Sequence, residues 1–396
     1  MLKNITPKWY IGIFIFIFTM AALLLIAYPL QMNWGMYGLA VTQIGLLLIG
    51  LLVPLLFKWK LSEIMPIKKV SFRQFFGTLV LYAASYITVL AVSIITAYFF
   101  PGLMDVSNYL GSFIASVPFA VALIIVAVMP GICEEVLFRG VILHTMRNFK
   151  SEFVVMLIAA VLFGIFHLDV YRFLPTAILG FVMTYLMLKT QNFLLPVFFH
   201  FLNNAVTVSA GYSTFSSGEM ADSSMVIGFE SLGICLLLAA AAPFLFYFAG
   251  RLLNPERKNK KYLYIIITLS VLLFISGISF VAKFALSGTV IMNFTQTEHV
   301  DINTAPVRHE LKIESAGIYD LSFSIKDETE SIITTLNVLD KSGESIYSPG
   351  FGSDNFFGNK PILLEVGVYT VEFSFENASS TPVAVTFEFT AKRLGG

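Results

Sequence analysis

Charge is scarce in this sequence. Only 13% of its 396 residues are Asp, Glu, Lys or Arg, about half the share of an ordinary soluble domain, while 57% are hydrophobic and the mean hydropathy is +0.81. A chain with so few solvent-seeking side chains is excluded from the soluble globular class and is predicted to be an integral membrane protein. Net charge is missing too: 25 basic and 25 acidic residues cancel. The overall balance therefore points to no nucleic acid or acidic partner, and only the placement of the charges is informative. Cysteine is nearly absent. Cys133 and Cys235, far apart and in apolar surroundings, offer neither a disulfide framework nor a metal-site spacing. No small-residue cleavage site follows the first apolar run, which begins at Tyr10 after Lys3 and Lys8, so that run reads as a retained helix and not as a signal peptide.

What the chain has in abundance is long apolar runs. A spanning helix needs roughly 20 mostly apolar residues, and on that basis nine spans are predicted, near 10–28, 37–57, 75–100, 112–147, 153–168, 173–189, 193–212, 226–249 and 262–284. The fourth is long and interrupted at Pro130-Gly131; the fifth and sixth are short. Basic residues concentrate on the cytoplasmic side of a membrane protein. Here alternate loops carry Lys3 and Lys8, then Lys58, Lys60, Lys68, Lys69 and Arg73, then Arg147 and Lys150, then Lys189, then Arg251, Arg257, Lys258, Lys260 and Lys261. The other loops hold almost none, with Arg172 the exception. This asymmetry predicts a multi-pass protein of the plasma membrane with a cytoplasmic N-terminus and an outward-facing C-terminal segment.

That segment differs in kind. From about residue 290 polar and apolar residues alternate, as in YDLSFSIK, YTVEFSFE and AVTFEFTAK, between Gly, Asn, Ser and Pro punctuation. Period-two alternation predicts short antiparallel strands, and roughly 100 residues suit a small β-sandwich. The expected division is therefore a transmembrane domain over 1–286 and an extracytoplasmic all-β domain over 287–396. The latter shows no nucleophile, metal cluster or Gly-rich phosphate loop. His299 and His309 lie in its polar entry segment, and it reads as a binding or spacer module with an extracytoplasmic ligand.

Ionisable residues inside spans cost several kcal/mol at the bilayer centre and are functional candidates by default. They are Glu134, Glu135 and Arg139 in CEEVLFRG, His167 in FGIFHLD, and His200 with Asn203 and Asn204 in FFHFLNNAV; His144 and Asp169 lie nearer helix ends. Glu135 and Arg139 are four apart and share a helix face, so an ion pair offsets the desolvation of both. Glu134 is turned by roughly 100° from its neighbour. The two carboxylates therefore cannot converge as a dyad: one is free to act on solvent and one is held in structure, and spacing alone leaves the assignment open. Counting from the turn at Lys150 and Ser151, Glu134 and His167 come to similar depth, and Asn204 shares a face with His200. A carboxylate and imidazoles around a water make a workable hydrolytic site.

These residues resemble the motifs of the CPBP family, which comprises the type II CAAX prenyl endopeptidases and the bacterial Abi-type intramembrane proteases. Glu134-Glu135 with Arg139 is similar to its EExxxR motif, Phe163 to His167 to FxxxH, and His200 to Asn204 to HxxxN. All three occur in family order within about residues 112–212. The resemblance implies that Glu134 activates water with His167 assisting, and that His200 and Asn204 stabilise an oxyanion. Glu135, Arg139 and Phe163 would then support the site. The resemblance leaves both a metal-independent glutamate mechanism and zinc on Glu134, His167 and His200 open; because HxxxN lacks the close HExxH geometry of zinc proteases, water activation by glutamate with no cofactor is expected.

The expected protein is thus an all-α polytopic bundle of about nine helices with a C-terminal β-sandwich. Its expected activity is intramembrane hydrolysis of a peptide bond in a membrane-associated protein or peptide, with the lipid bilayer as surroundings and no nucleic-acid partner. The rival readings are a non-catalytic scaffold, sensor or immunity protein on the same fold, and a proton-coupled transporter, which would show inverted repeats and paired broken helices.

Overall fold

The computed structural model describes residues 7–100, 112–216, 229–254, 261–286, 288–301, 303–327, 332–348, 356–377 and 382–394. The chain divides into two compact units, residues 1–223 with 234–277, and residues 224–233 with 278–396.

The first unit is a helical membrane bundle. Among the described residues seven helical stretches are long and apolar enough to cross a bilayer: α1 Trp9–Phe57, α2 Phe72–Phe99, α3 Phe119–Thr145, α5 Val170–Thr190, α6 Leu194–Ser213, α7 Ser231–Leu253 and α8 Leu263–Lys283. Between α3 and α5 lies the shorter α4, Glu152–Phe166. The expected nine are not reached by this measure. The first two expected spans form one stretch, α1, and the fifth, α4, has only 15 residues.

A straight helix of α1's length would run about 73 Å, more than twice a ~30 Å hydrocarbon core, so it cannot be one rod across a bilayer. Gly35, at φ 53° and ψ −126°, leaves helical geometry in a region that L side chains avoid. The chain folds back there: a Cβ on Gly38 would fall 2.3 Å from the Leu30 carbonyl oxygen, and Gln31 Nε2 donates to Thr42 Oγ1 at 3.1 Å.

Helix ends follow local chemistry. Ser71 and Gln74 form a reciprocal capping box at the start of α2. Ser151 caps α4. Asp169 Oδ1 accepts from the Tyr171 and Arg172 amides at 2.8 and 3.2 Å and starts α5. The expected interruption of α3 at Pro130-Gly131 is not a break. Helix continues through both residues, and π-type winding over Leu123–Val128, with a second π segment over Val136–Ile142, takes up the irregularity. Wide turns of this kind recur at functional sites, and these two flank the glutamate pair.

Burial orders the bundle. In the most apolar window of α3 61% of residues are buried, against 11% in α8, so α3 is the central helix and α8 presents most of its surface outward. Leu137, Phe138, Val141 and Ile142 of α3 join Phe163 and Phe166 of α4, Leu186 of α5 and Phe199 of α6 in one core.

The second unit is all-β. Eight strands, β1 Thr289–Val300, β2 Val307–Ile313, β3 Gly317–Asp327, β4 Ile332–Leu339, β5 Ser345–Tyr347, β6 Phe356–Leu364, β7 Gly367–Asn377 and β8 Val383–Leu394, make two four-stranded antiparallel sheets ordered β1-β8-β3-β6 and β2-β7-β4-β5. The alternation read in the sequence is the reason. Tyr319, Leu321, Phe323 and Ile325 of β3 and Val385, Phe387, Phe389 and Ala391 of β8 are buried every second residue. They face Val371 and Phe373 of the other sheet, with the Phe373 and Phe387 rings 4.5 Å apart.

Candidate active site

The site is built outward from α3. Glu134 and Glu135 lie about 17 Å of helix from its Thr145 end, near the middle of a span, and both are buried, as is Arg139. Glu135 is the carboxylate held in structure. Its Oε1 accepts from Arg139 Nη1 at 2.8 Å and contacts His200 Nδ1 at 2.9 Å. The second arm of the Arg139 fork donates to the Gly180 carbonyl of α5 at 3.1 Å. This pairing offsets part of the cost of burying the guanidinium, whose Nε is buried with no hydrogen-bond partner.

Glu134 faces elsewhere. Its Oε1 accepts from Gln43 Nε2 at 3.0 Å, its Oε2 is buried with no hydrogen-bond partner, and that Oε2 lies 3.9 Å from His200 Nε2. His200 therefore stands between the two glutamates. Because its Nδ1 meets a carboxylate already paired with arginine, that nitrogen carries the hydrogen. In the neutral ring the lone pair is then on Nε2, toward Glu134.

Phe163 joins the three motifs. Its ring centroid lies 4.5 Å from the Arg139 Cζ, 5.8 Å from the His200 ring and 4.9 Å from the His167 ring. The aromatic face thus covers the ion pair and contributes a cation–π contact. Its close seating depends on Gly180, where a Cβ would fall 2.9 Å from the Phe163 Cβ. His167 closes α4 as its C-terminal cap, followed by Leu168 at φ 53° and the capping Asp169, so a sharp turn fixes the imidazole. Its Nδ1 bonds the Phe163 carbonyl at 2.8 Å, which assigns the hydrogen to Nδ1 and leaves Nε2 as an acceptor.

On α6, Asn204 has a different immediate partner from an oxyanion. Its Nδ2 donates to the Val126 carbonyl of α3 at 3.0 Å. Pro130, four residues after Val126, has no N–H to give that carbonyl, and the asparagine amide supplies a donor. Asn203, a bystander by sequence, donates to Asn204 Oδ1 at 3.2 Å and so orients it.

Phe163, His167, His200, Asn203, Asn204 and Arg172 line a cavity of about 40 Å³, room for a water or two. Glu134 reaches it through His200 and is not in its lining. A larger cavity, of about 340 Å³, touches Arg139 and His144 at the Thr145 end of α3 but includes neither Glu134, His167 nor His200. No group of three His, Cys, Asp or Glu among the described residues is gathered to hold a metal ion.

The sequence reading missed Gln43. The signal was there, a lone amide in the apolar run LAVTQIGLLLIG, but only the fold brings it to Glu134.

This geometry and the sequence comparisons agree on the class. Residues 115–206 match the family model of the type II CAAX prenyl endopeptidase Rce1-like proteins. Over 86 residues, 22% of this chain, the sequence is 30% identical to the "Putative membrane peptidase YdiL" of Bacillus subtilis (strain 168). The aligned segment spans about a third (35%) of that relative's length. Over this segment, α3 to α6, the chain is thus similar to membrane proteases of the Rce1-like type, and the remainder of the chain lies outside both matches.

Proposed function

We propose that the protein is an intramembrane endopeptidase that hydrolyses a peptide bond in a membrane-associated protein or peptide, with water activated by Glu134. The observation that carries this reading is the unequal treatment of adjacent carboxylates. Each keeps its Oε2 buried without a hydrogen-bond partner, but Glu135 Oε1 is shared by Arg139 and His200, while Glu134 Oε1 meets only a neutral amide and its Oε2 lies 3.9 Å from an imidazole nitrogen.

Glu134 accepts a proton as the water oxygen bonds to the scissile carbonyl carbon. That proton crosses the 3.9 Å to His200 Nε2 by way of a water and passes from there to the departing amine as the C–N bond breaks. Glu135 holds the imidazole in the tautomer this relay needs. His167 assists through its free Nε2. For Asn204 to donate to the oxyanion its Nδ2 leaves the Val126 carbonyl, so its resting contact is with α3. The chemistry needs no metal ion. The basic loops support a cytoplasmic N-terminus, the plasma membrane and an outward β-domain that binds an extracytoplasmic ligand.

The test compares peptide termini by mass spectrometry in membranes carrying wild type or Glu134→Ala at equal levels, with and without a chelator. Chelator-insensitive termini that disappear in Glu134→Ala are expected. Identical termini in both membranes would refute the enzymatic reading in favour of a scaffold.

A further inference from the structure

Gln43 lies on the second arm of α1, far in sequence from the three motifs. On that arm Thr42, Gln43, Leu46, Gly50 and Pro54 make the buried face, at the spacing of one helical stripe. Gly50 lets this stripe approach α3 closely, since a Cβ there would fall 2.7 Å from Val136 Cγ1. Two turns earlier, Gln43 is 4% exposed and donates to Glu134 Oε1 at 3.0 Å. Its own Oε1 is buried with no partner, as is Glu134 Oε2.

A partner for a proton-accepting carboxylate has to serve two states. An arginine or lysine offers donors only, and an aliphatic side chain offers nothing. A primary amide has both functions on one planar group: the NH₂ donates to a carboxylate, and after a half-turn of the amide the carbonyl accepts from the acid O–H. The unpartnered Gln43 Oε1 is the acceptor that second state requires.

We propose that Gln43 is a positioning residue for hydrolysis, holding Glu134 in one orientation as carboxylate and, by an amide turn, as carboxylic acid. This rests on the reading of Glu134 as the proton acceptor. The other charged groups near Glu134 do not substitute for it. Arg139 is committed to Glu135 and Gly180, and His200 is beyond hydrogen-bond distance at 3.9 Å.

The test uses the full chain in detergent and the nearly isosteric Gln43→Met, with Gln43→Leu as a second variant should methionine prevent folding. The infrared carboxyl band assigned to Glu134, by difference from Glu134→Gln, is expected to shift in the Gln43 variant. On a quenched fluorescent peptide built around a terminus mapped in wild-type membranes, kcat should fall roughly 10- to 100-fold, with KM within about twofold. The thermal midpoint should stay near wild type. An unmoved infrared band, an unchanged kcat, or a kcat loss that only parallels lost stability overturns the proposal. Full activity in Glu134→Gln would instead remove the hydrolytic reading, while the infrared result still reports the Gln43 contact.

Discussion

Asn204 and Pro130 offer a sharp quantitative test, because the structure gives the asparagine a job that a proline creates. Asn204 Nδ2 donates to the Val126 carbonyl at 3.0 Å, and Pro130 removes the N–H that α winding would bring to that carbonyl, the π winding over Leu123–Val128 having shifted the register by one residue. In Asn204→Ala the carbonyl loses this donor. A buried acceptor left without a donor costs about 1–3 kcal/mol, but polar contacts between membrane helices average nearer 0.6 and reach about 1.7. The lower range applies here, because Asn204 is only part-buried and lines a cavity with room for a water.

The expected cost of the missing donor is therefore about 1 kcal/mol, roughly a fivefold change in the unfolding constant. Pro130→Ala restores an N–H at position 130. In that background Asn204→Ala should lose this part of its cost, leaving only the packing loss common to both. The double-mutant cycle is read by reversible unfolding in mixed micelles, followed by circular dichroism. An equal cost in both backgrounds would mean that Val126 has another donor and would refute the reasoning. Turnover in the same variants separates the roles: if Asn204 also serves the oxyanion, Pro130→Ala restores stability and not cleavage.

Two further outcomes follow from the geometry. Arg139→Leu leaves Glu135 buried with His200 as its remaining polar contact and should cost about 3–5 kcal/mol of stability. Arg139→Lys should not repair it, because one ammonium cannot span Glu135 Oε1 and the Gly180 carbonyl as the guanidinium fork does; micelle unfolding of both variants decides this. In the β-unit, burial against the Phe294 ring, 3.9 Å away, holds the His309 pKa below its usual 6.5. The folded strand binds that proton less readily than the unfolded chain, so the contribution is present above pH 6.5 and is lost as pH falls through the folded value. Hydrogen exchange of β1 and β2 in the full chain between about pH 5 and 8 should show faster opening at the acid end, and His309→Phe should flatten that trend.

Much of the bundle was legible because lipid enforces it. A run of apolar residues with internal backbone hydrogen bonding has only one economical form in hydrocarbon, the helix, so α2, α5, α6 and α8 lie where the runs are. The strands of the second unit were legible for a matching reason: one buried face imposes period two. The count of nine was not confirmed by length and hydropathy, under which seven described stretches qualify and the first two expected spans merge into one. Gly35 folds α1 back within a continuous helical stretch, and the brevity of α4 falls below the length a span needs. Nor was the fate of Pro130 legible, since a proline predicts a break unless a wide turn and a side chain from another helix take up the strain.

The sequence by itself determined the site's ingredients and one of its bonds. Glu135 with Arg139 follows from four-residue spacing on a single helix, and motif order named Phe163, His167, His200 and Asn204. Only the tertiary structure decided which partner each glutamate meets, because His200 and Gln43 sit 65 and 91 residues from the glutamates they contact. Spacing along one helix fixes angles within that helix. The partners of a buried carboxylate come from its neighbours, and their approach is set by packing at positions such as Gly50 and Gly180, where the absence of a Cβ decides how near the next helix can stand.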